Sequence, residues 1–236
     1  MTTINLRNLI VNRTEHIKTY NEFNIMKEPI IKLDSDIVEW VKIESLKKYE
    51  KGDKFKILEL GTKRSNPLCP TNKKHLFNDI NNIEYIMTDY DNGIDVDVVC
   101  DIHNIDHVFE KESFDLIITC STFEHFKYPQ LCGHNLMKIL KIGGRIFIQT
   151  HQTYPLHGYK FDYFRFSREA LSSIFSKKMN FNTLSSYFEG DCVIIPYINL
   201  NNWNHVAESY LNVVHVGEKI NITPEEYVYD LETDCN

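Results

Sequence analysis

Side chains able to move a proton crowd one short segment, HQTYPLHGYKFDYFRF (151–166). Imidazoles titrate near neutrality and therefore serve as general bases at ordinary pH. His157, inside the HGY string, is the first candidate base, and His151, at the end of an apolar run, the second. Asp162 is the candidate orienting carboxylate or acceptor for substrate hydroxyls. Tyr154, Tyr159, Tyr163 and Arg165 flank them. Exposed tyrosines suit stacking on sugar C–H faces while their hydroxyls remain available for hydrogen bonds, and Arg165 either contacts substrate or pairs with Asp162. His125, after an earlier apolar run, supports a helix start or lines a binding wall.

A second group is ordered along different strand ends. Gly61 closes KILELG (56–61), Asp89 lies in EYIMTDY (84–90), and Asp101 follows DVDVVC (95–100). Glycine lets the chain turn tightly and approach a ligand. An acid ending the second strand can accept from both ribose hydroxyls. Asp101 can accept from an adenine amino group, with Ile102 packed on the ring. A nicotinamide dinucleotide would need GxGxxG to bring its pyrophosphate to a helix N-terminus, whereas ELGTKRSNP has one glycine and then bulky basic residues. A phosphate-free nucleoside cofactor fits better, and S-adenosylmethionine is the common one. DYDNGID (89–95) fails as a calcium loop: with Gly93 at the sixth position, Thr88 and Val99 fall where carboxylates are required. Asp91 and Asp95 remain as a looser divalent pair, and the reading assigns no metal ligand.

These residues need a scaffold that presents several strand ends together. KILELG, EYIMTDY, DVDVVC, FDLIITCS (114–121) and RIFIQT (145–150) read as strands in turn. Leu136, Met137, Ile139 and Leu140 give a helical stripe stopped by Gly143-Gly144. Ser167 caps a further helix carrying Ala170, Leu171, Ile174 and Phe175. FNTLSSYF (181–188) and YLNVVHVG (210–217) follow without an intervening helix and predict an antiparallel edge pair. The sum is α/β: a doubly wound, seven-stranded, mostly parallel sheet with helices on both faces. Ligands of such sheets sit beyond the carboxyl ends of the strands, where Thr62, Asp89, Asp101, Ser121 and His151 fall. Asn199, Asn201, Asn202, Trp203 and His205 offer a second rim segment or a plain loop.

The chain of 236 residues, 42% hydrophobic and 25% charged, is expected to be one domain: an N-terminal helical segment (1–54), a core (55–222) and an acidic tail (223–236). A net charge of −7 disfavours a nucleic-acid surface. The lysine run 47–56 precedes the first strand, away from the carboxyl ends, and reads as a solvated face. The six cysteines form no CxxC pair, and Cys100 and Cys120 read as small buried thiols. No apolar run approaches the roughly 18 residues of a membrane span, and MTTINLRNLIVNRTEHIK lacks a signal-peptide core. A cytoplasmic protein is expected.

ILELG, YIMTDY, DVVCDIHNI, FDLIITCSTFEHF and LKIGGRIFIQT, in this order, resemble the class I S-adenosylmethionine-dependent methyltransferases over about residues 55–150. The Ser-x-x-Glu-His segment, Ser121 to His125, resembles the small-molecule branch. PLHGYKFDYFRFS (155–167) resembles a subgroup with an HGYxxDY/WxRF/Y segment found in glycan-modifying pathways. The resemblance implies Glu59 and Gly61 beside the methionine and ribose, Asp89 on the ribose, Asp101 and Ile102 on the adenine, and Cys120 and Ser121 on the cofactor floor. Thr62 and Tyr90 complete that set, and Arg64 or Lys63 would meet the cofactor carboxylate in place of the two further glycines of the common pattern. The function implied is metal-independent O-methyl transfer to a hydroxyl of a sugar, nucleotide sugar or glycan, with glycan-assembly enzymes as partners. Two alternatives stand beside it: methylation of another small metabolite (a carboxylate or amine), and a non-catalytic cofactor-binding partner protein.

Overall fold

The structure, a computed structural model, describes residues 35–66, 68, 70–158, 160–194 and 207–230. Tyr159, the rim segment 199–205, most of the N-terminal segment and the last residues of the tail lie outside the described residues. Seven strands form one sheet: β1 (Phe55–Leu60), β2 (Ile83–Asp89), β3 (Val98–Val99), β4 (Phe114–Cys120), β5 (Leu140–His151), β6 (Phe181–Ile194) and β7 (Ala207–Lys219). Their order is β3-β2-β1-β4-β5-β7-β6. Pairing is parallel from β3 to β5 and antiparallel for β5–β7 and β7–β6. The expected doubly wound sheet with an antiparallel edge pair is therefore present.

Strand alternation divides the core into two layers. Leu58, Leu60, Ile117, Ile146 and Ile148 face one side, under α2 (Pro129–Ile139) and α3 (Arg168–Ile174). Ile57, Leu116, Ile118 and Phe147 face the other, with Ile37 and Val41 of α1 (Ser35–Glu50). Lys48 in the last turn of α1 pairs with Asp115 at 2.8 Å, so one lysine of the basic run anchors the helix to β4. Ser167 caps α3 as expected, its hydroxyl accepting the Ala170 N–H at 3.1 Å.

Two expectations need correction. Helices do not separate all the parallel strands: short 3-10 turns, Lys74–Phe77 and Ile102–His107, stand between β1 and β2 and between β3 and β4. The α2 helix also ends at Ile139 rather than at Gly143-Gly144. Leu140 is already extended (ψ 135°) and opens β5. Gly143, at φ +79°, supplies a left-handed kink inside the strand, opposite a register shift in β4.

The C-terminus of α2 is held from β7. Lys219, 1% exposed, donates to the carbonyls of Met137 (3.0 Å) and Leu140 (2.8 Å) and pairs with Glu112 at 3.2 Å. A cation placed there satisfies carbonyls that a helix end leaves unpaired. Lys219→Met removes these charged hydrogen bonds and is expected to cost about 1–3 kcal/mol, read as a lower urea midpoint at unchanged slope. Among the described residues, no helix is long and apolar enough to cross a membrane.

Candidate active site

The strand order changes direction between β1 and β4, and ligand crevices of open α/β sheets form at such a point. A cavity of about 650 Å³ opens there, within the usual range for small-molecule sites. Gly61, Asp89, Tyr90, Asp101, Ile102 and Ser121 line it from the strand ends. His125, Phe126, Gly158, Phe161 and Tyr163 line it from the segments after β4 and β5.

Asp89 accepts the Lys63 N–H at 3.0 Å and the Asp91 N–H at 3.1 Å, which fix the carboxylate at the cavity edge. Asp101 caps the following 3-10 turn and accepts from the His103 N–H (3.0 Å), with the His103 ring at 2.7 Å. Burial pushes its carboxyl up, but the His103 hydrogen bonds and charge outweigh that and hold it below the usual carboxylate range. Gly61 and Ser121 both adopt positive φ, +71° and +48°, as the chain turns out of β1 and β4.

The structure moves five expected cofactor residues off the cavity. Glu59 points to the opposite face of β1, where it accepts the Tyr85 hydroxyl (2.6 Å) and the Lys73 N–H (2.9 and 3.0 Å). Burial raises its carboxyl and also the Tyr85 phenol. Thr62 is buried as a brace, donating to the carbonyl of Asp95 at 2.6 Å. Arg64 is held bidentately by Asp95, at 2.7 and 3.0 Å, so its guanidinium is committed to the loop. Lys63 likewise pairs with Asp91 at 2.9 Å. Cys120 packs beside the Ile118 layer, and burial pushes its thiol up to about 12.

The segment after β5 is docked by main-chain hydrogen bonds. The Tyr163 and Phe164 N–H groups donate to the Glu124 carbonyl, and the Phe166 N–H to that of His151. Asp162 accepts the His157 N–H at 2.9 Å and both terminal nitrogens of Arg165, at 2.6 and 3.0 Å. The Arg165 and His157 hydrogen bonds hold the Asp162 carboxyl well below its ordinary range. Arg165 also donates to the carbonyls of Tyr154, Pro155 and Phe164. Asp162 and Arg165 thus form a clasp that shapes the segment.

His151 and His157 do not line the cavity. His151 is buried, stacked on Tyr154 with ring centroids 4.1 Å apart, and its Nδ1 lies 3.0 Å from Asn212 Oδ1. Burial outweighs the nearby Glu124 charge and lowers its pKa. His157 packs edge-on against His125 and His151, at 4.9 and 5.0 Å. His125 is the imidazole on the cavity wall, and its Nδ1 lies 2.8 Å from the Phe161 carbonyl. A Cβ at Gly158 would approach His125 Cε1 to 2.7 Å, so only glycine lets the HGY turn close against that ring.

Sequence reasoning left Glu124 without a role. It is fully buried, its Oε2 accepts the Thr150 hydroxyl at 2.6 Å, and the imidazole cluster surrounds its other oxygen. The available signal was an acid set between Phe123 and Phe126, both core residues. Phe161, which faces Tyr90 at 6.0 Å across the cavity, was likewise unassigned to the site.

A family model described as a methyltransferase domain matches residues 93–212, just over half the chain. Among solved structures, the chain is similar to a SAM-dependent methyltransferase from Archaeoglobus fulgidus (TM-score 0.52, 16% identity, covering 77% of this chain and 94% of that one). It is similar to Burkholderia thailandensis 1,6-didemethyltoxoflavin-N1-methyltransferase, solved with bound S-adenosylhomocysteine (TM-score 0.51, 12% identity, 94% and 92% covered). It is also similar to the CurJ carbon methyltransferase (TM-score 0.51, 17% identity, covering 78% of this chain), of whose length it spans 54%. No curated protein sequence matches. In all, 420 chains of known structure match, so the architecture by itself does not select an acceptor.

Proposed function

The chain belongs to the methyltransferase domain family, and from that premise we propose that it uses S-adenosylmethionine to methylate a hydroxyl of a sugar, nucleotide sugar or glycan. One observation carries this reading: a single cavity at the strand switch point has two fixed carboxylates on one wall and an imidazole with aromatic rings on the other.

The residues present fit the cofactor. Asp89 would hold the ribose hydroxyls, Asp101 and Ile102 the adenine, and Gly61 with Ser121 the backbone turns at its centre. When bound, the cofactor supplies an electrophilic methyl on a positively charged sulfur. The chain's part is to align the acceptor, which accounts for much of the rate in such displacements, and to take the hydroxyl proton. His125 is the imidazole at the cavity wall suited to that role, with His157 and His151 behind it. Phe161 and Tyr163 offer faces for a sugar ring.

The test combines calorimetry with S-adenosylhomocysteine and an acceptor screen read by S-adenosylhomocysteine release. Asp89→Ala is expected to weaken binding by about 2 kcal/mol, on the order of 30-fold. Turnover is expected with sugars or nucleotide sugars. Turnover with carboxylates or amines alone, or binding without turnover on a broad glycan panel, would instead favour the metabolite or the non-catalytic reading.

A further inference from the structure

We propose that Glu124, His151 and His157 form a binding site for a divalent transition metal of the zinc type, behind the imidazole wall of the cavity. Glu124 Oε1 is fully buried and has no hydrogen-bond partner among the described residues. Three imidazole nitrogens stand within 4 Å of it: His151 Nε2 at 3.1 Å, His157 Nε2 at 3.6 Å and His125 Nε2 at 3.8 Å. The 3.1 Å contact lacks the geometry of a hydrogen bond.

The protonation pattern follows from the outer partners. His157 Nδ1 lies 3.2 Å from the Pro155 carbonyl and His125 Nδ1 lies 2.8 Å from that of Phe161. A carbonyl only accepts, so each Nδ1 carries the hydrogen. His151 Nδ1 faces Asn212 Oδ1, an amide orientation supported by Asn212 Nδ2 donating to Glu189 at 3.5 Å. On neutral rings all three Nε2 atoms are then lone pairs, and those of His151 and His157 lie closest to the carboxylate oxygen. Lone pairs facing a buried anion repel unless a cation stands among them. Imidazoles that ligate metal characteristically donate their other N–H to a carbonyl or carboxylate, the pattern present here.

The spacing agrees. Two donors, each roughly 2.1 Å from a tetrahedral ion, lie about 3.4 Å apart; the contacts from Glu124 to His151 and His157, 3.1 and 3.6 Å, bracket that. The ligand atoms of the three residues lie within 4.8 Å of one another. Two imidazoles and one carboxylate suit zinc or its neighbours rather than calcium or magnesium, which take oxygen ligands. A fourth position would be open to water. The ion would tie the turn after β4, the end of β5 and the HGY segment together. With it in place His151 and His157 are ligands, which leaves proton acceptance to His125. The site stands on its own geometry and does not depend on the acceptor proposed above.

The test is cobalt and zinc titration of the full-length, tag-free chain after chelator treatment. One equivalent of Co²⁺ is expected to give visible d–d absorption without a thiolate charge-transfer band, displaced by Zn²⁺, and Zn²⁺ is expected to raise the melting temperature. His151→Gln and Glu124→Gln should each weaken Zn²⁺ binding more than about 100-fold, beyond what loss of an outer partner costs. His157→Gln, at a partly exposed position, gives the same readout should a buried variant fail to fold. Absence of stoichiometric uptake, uptake unchanged in His157→Gln, or a spectrum showing cysteine ligation would each overturn the proposal.

Discussion

Gly61→Ala is expected to destabilise the protein by about 3 kcal/mol and to weaken S-adenosylhomocysteine binding on the order of 100-fold. Two costs add. Gly61 sits at φ +71°, a region that costs a residue with a Cβ about 1–2 kcal/mol. The added methyl would also collide with the Thr122 side chain, whose Cβ lies only 2.8 Å from where it must go. Rotating the threonine moves its hydroxyl and methyl away but not its Cβ, so the turns leaving β1 and β4 must part. Those turns line the cavity, and the loss therefore reaches the ligand. Urea unfolding measures the first effect and calorimetry the second. Thr122→Gly in the Gly61→Ala background clears the collision but leaves the φ cost, so affinity should return further than stability. Unchanged affinity in Gly61→Ala would mean that the ligand does not use this strand edge.

The sheet was readable because its strands carry their own boundaries. FDLIITC is apolar enough to require burial on both faces, and the two C-terminal runs had no helix between them, which forces an antiparallel return. The helices were less readable: the segments after β1 and β3 are long enough for helices, yet Asp101 and the residues around it satisfy their backbone through short 3-10 turns. Within the site, Asp89, Asp101, Ile102, Ser121 and His125 fall on the cavity. Glu59 and Cys120 do not, and alternation explains why. Glu59 shares its face with Phe55 and Ile57, and Cys120 shares its face with Leu116 and Ile118, whereas Leu60 faces the cavity side. Counting by twos along β1 and β4 would have separated them. Arg64 is another matter, because its partner Asp95 is distant in sequence and only the folded loop brings the pair together. Glu124 could not be assigned from spacing at all: the three imidazoles around its Oε1 come from the turn after β4, the end of β5 and the HGY segment.

Acidification is expected to weaken the fold through His215, well away from the cavity. This residue of β7 is fully buried, its ring near-parallel to Phe175 and Phe181 at 6.1 and 6.2 Å. Its Nδ1 reaches Ser186 Oγ only at 3.4 Å, and its Nε2 has no partner among the described residues. Burial alone lowers its pKa to about 4. The folded chain keeps the ring neutral while the unfolded chain takes up a proton near pH 6.5. Between those values the unfolded state binds the extra proton, so the His215 contribution is intact above about pH 6.5 and falls by roughly 1.4 kcal/mol per pH unit below it. About 3 kcal/mol is lost by pH 4, a large fraction of a typical domain's stability. The depressed Asp162 carboxyl acts in a separate window, since its stabilisation is lost only as pH falls below the ordinary aspartate range. Urea midpoints from pH 7 to 4.5 should decline steeply in the wild type and much less in His215→Leu, with the two curves parallel above pH 6.5. A wild-type midpoint that stayed level across that range would mean that the ring is solvated or finds a donor and acceptor that its aromatic surroundings do not provide.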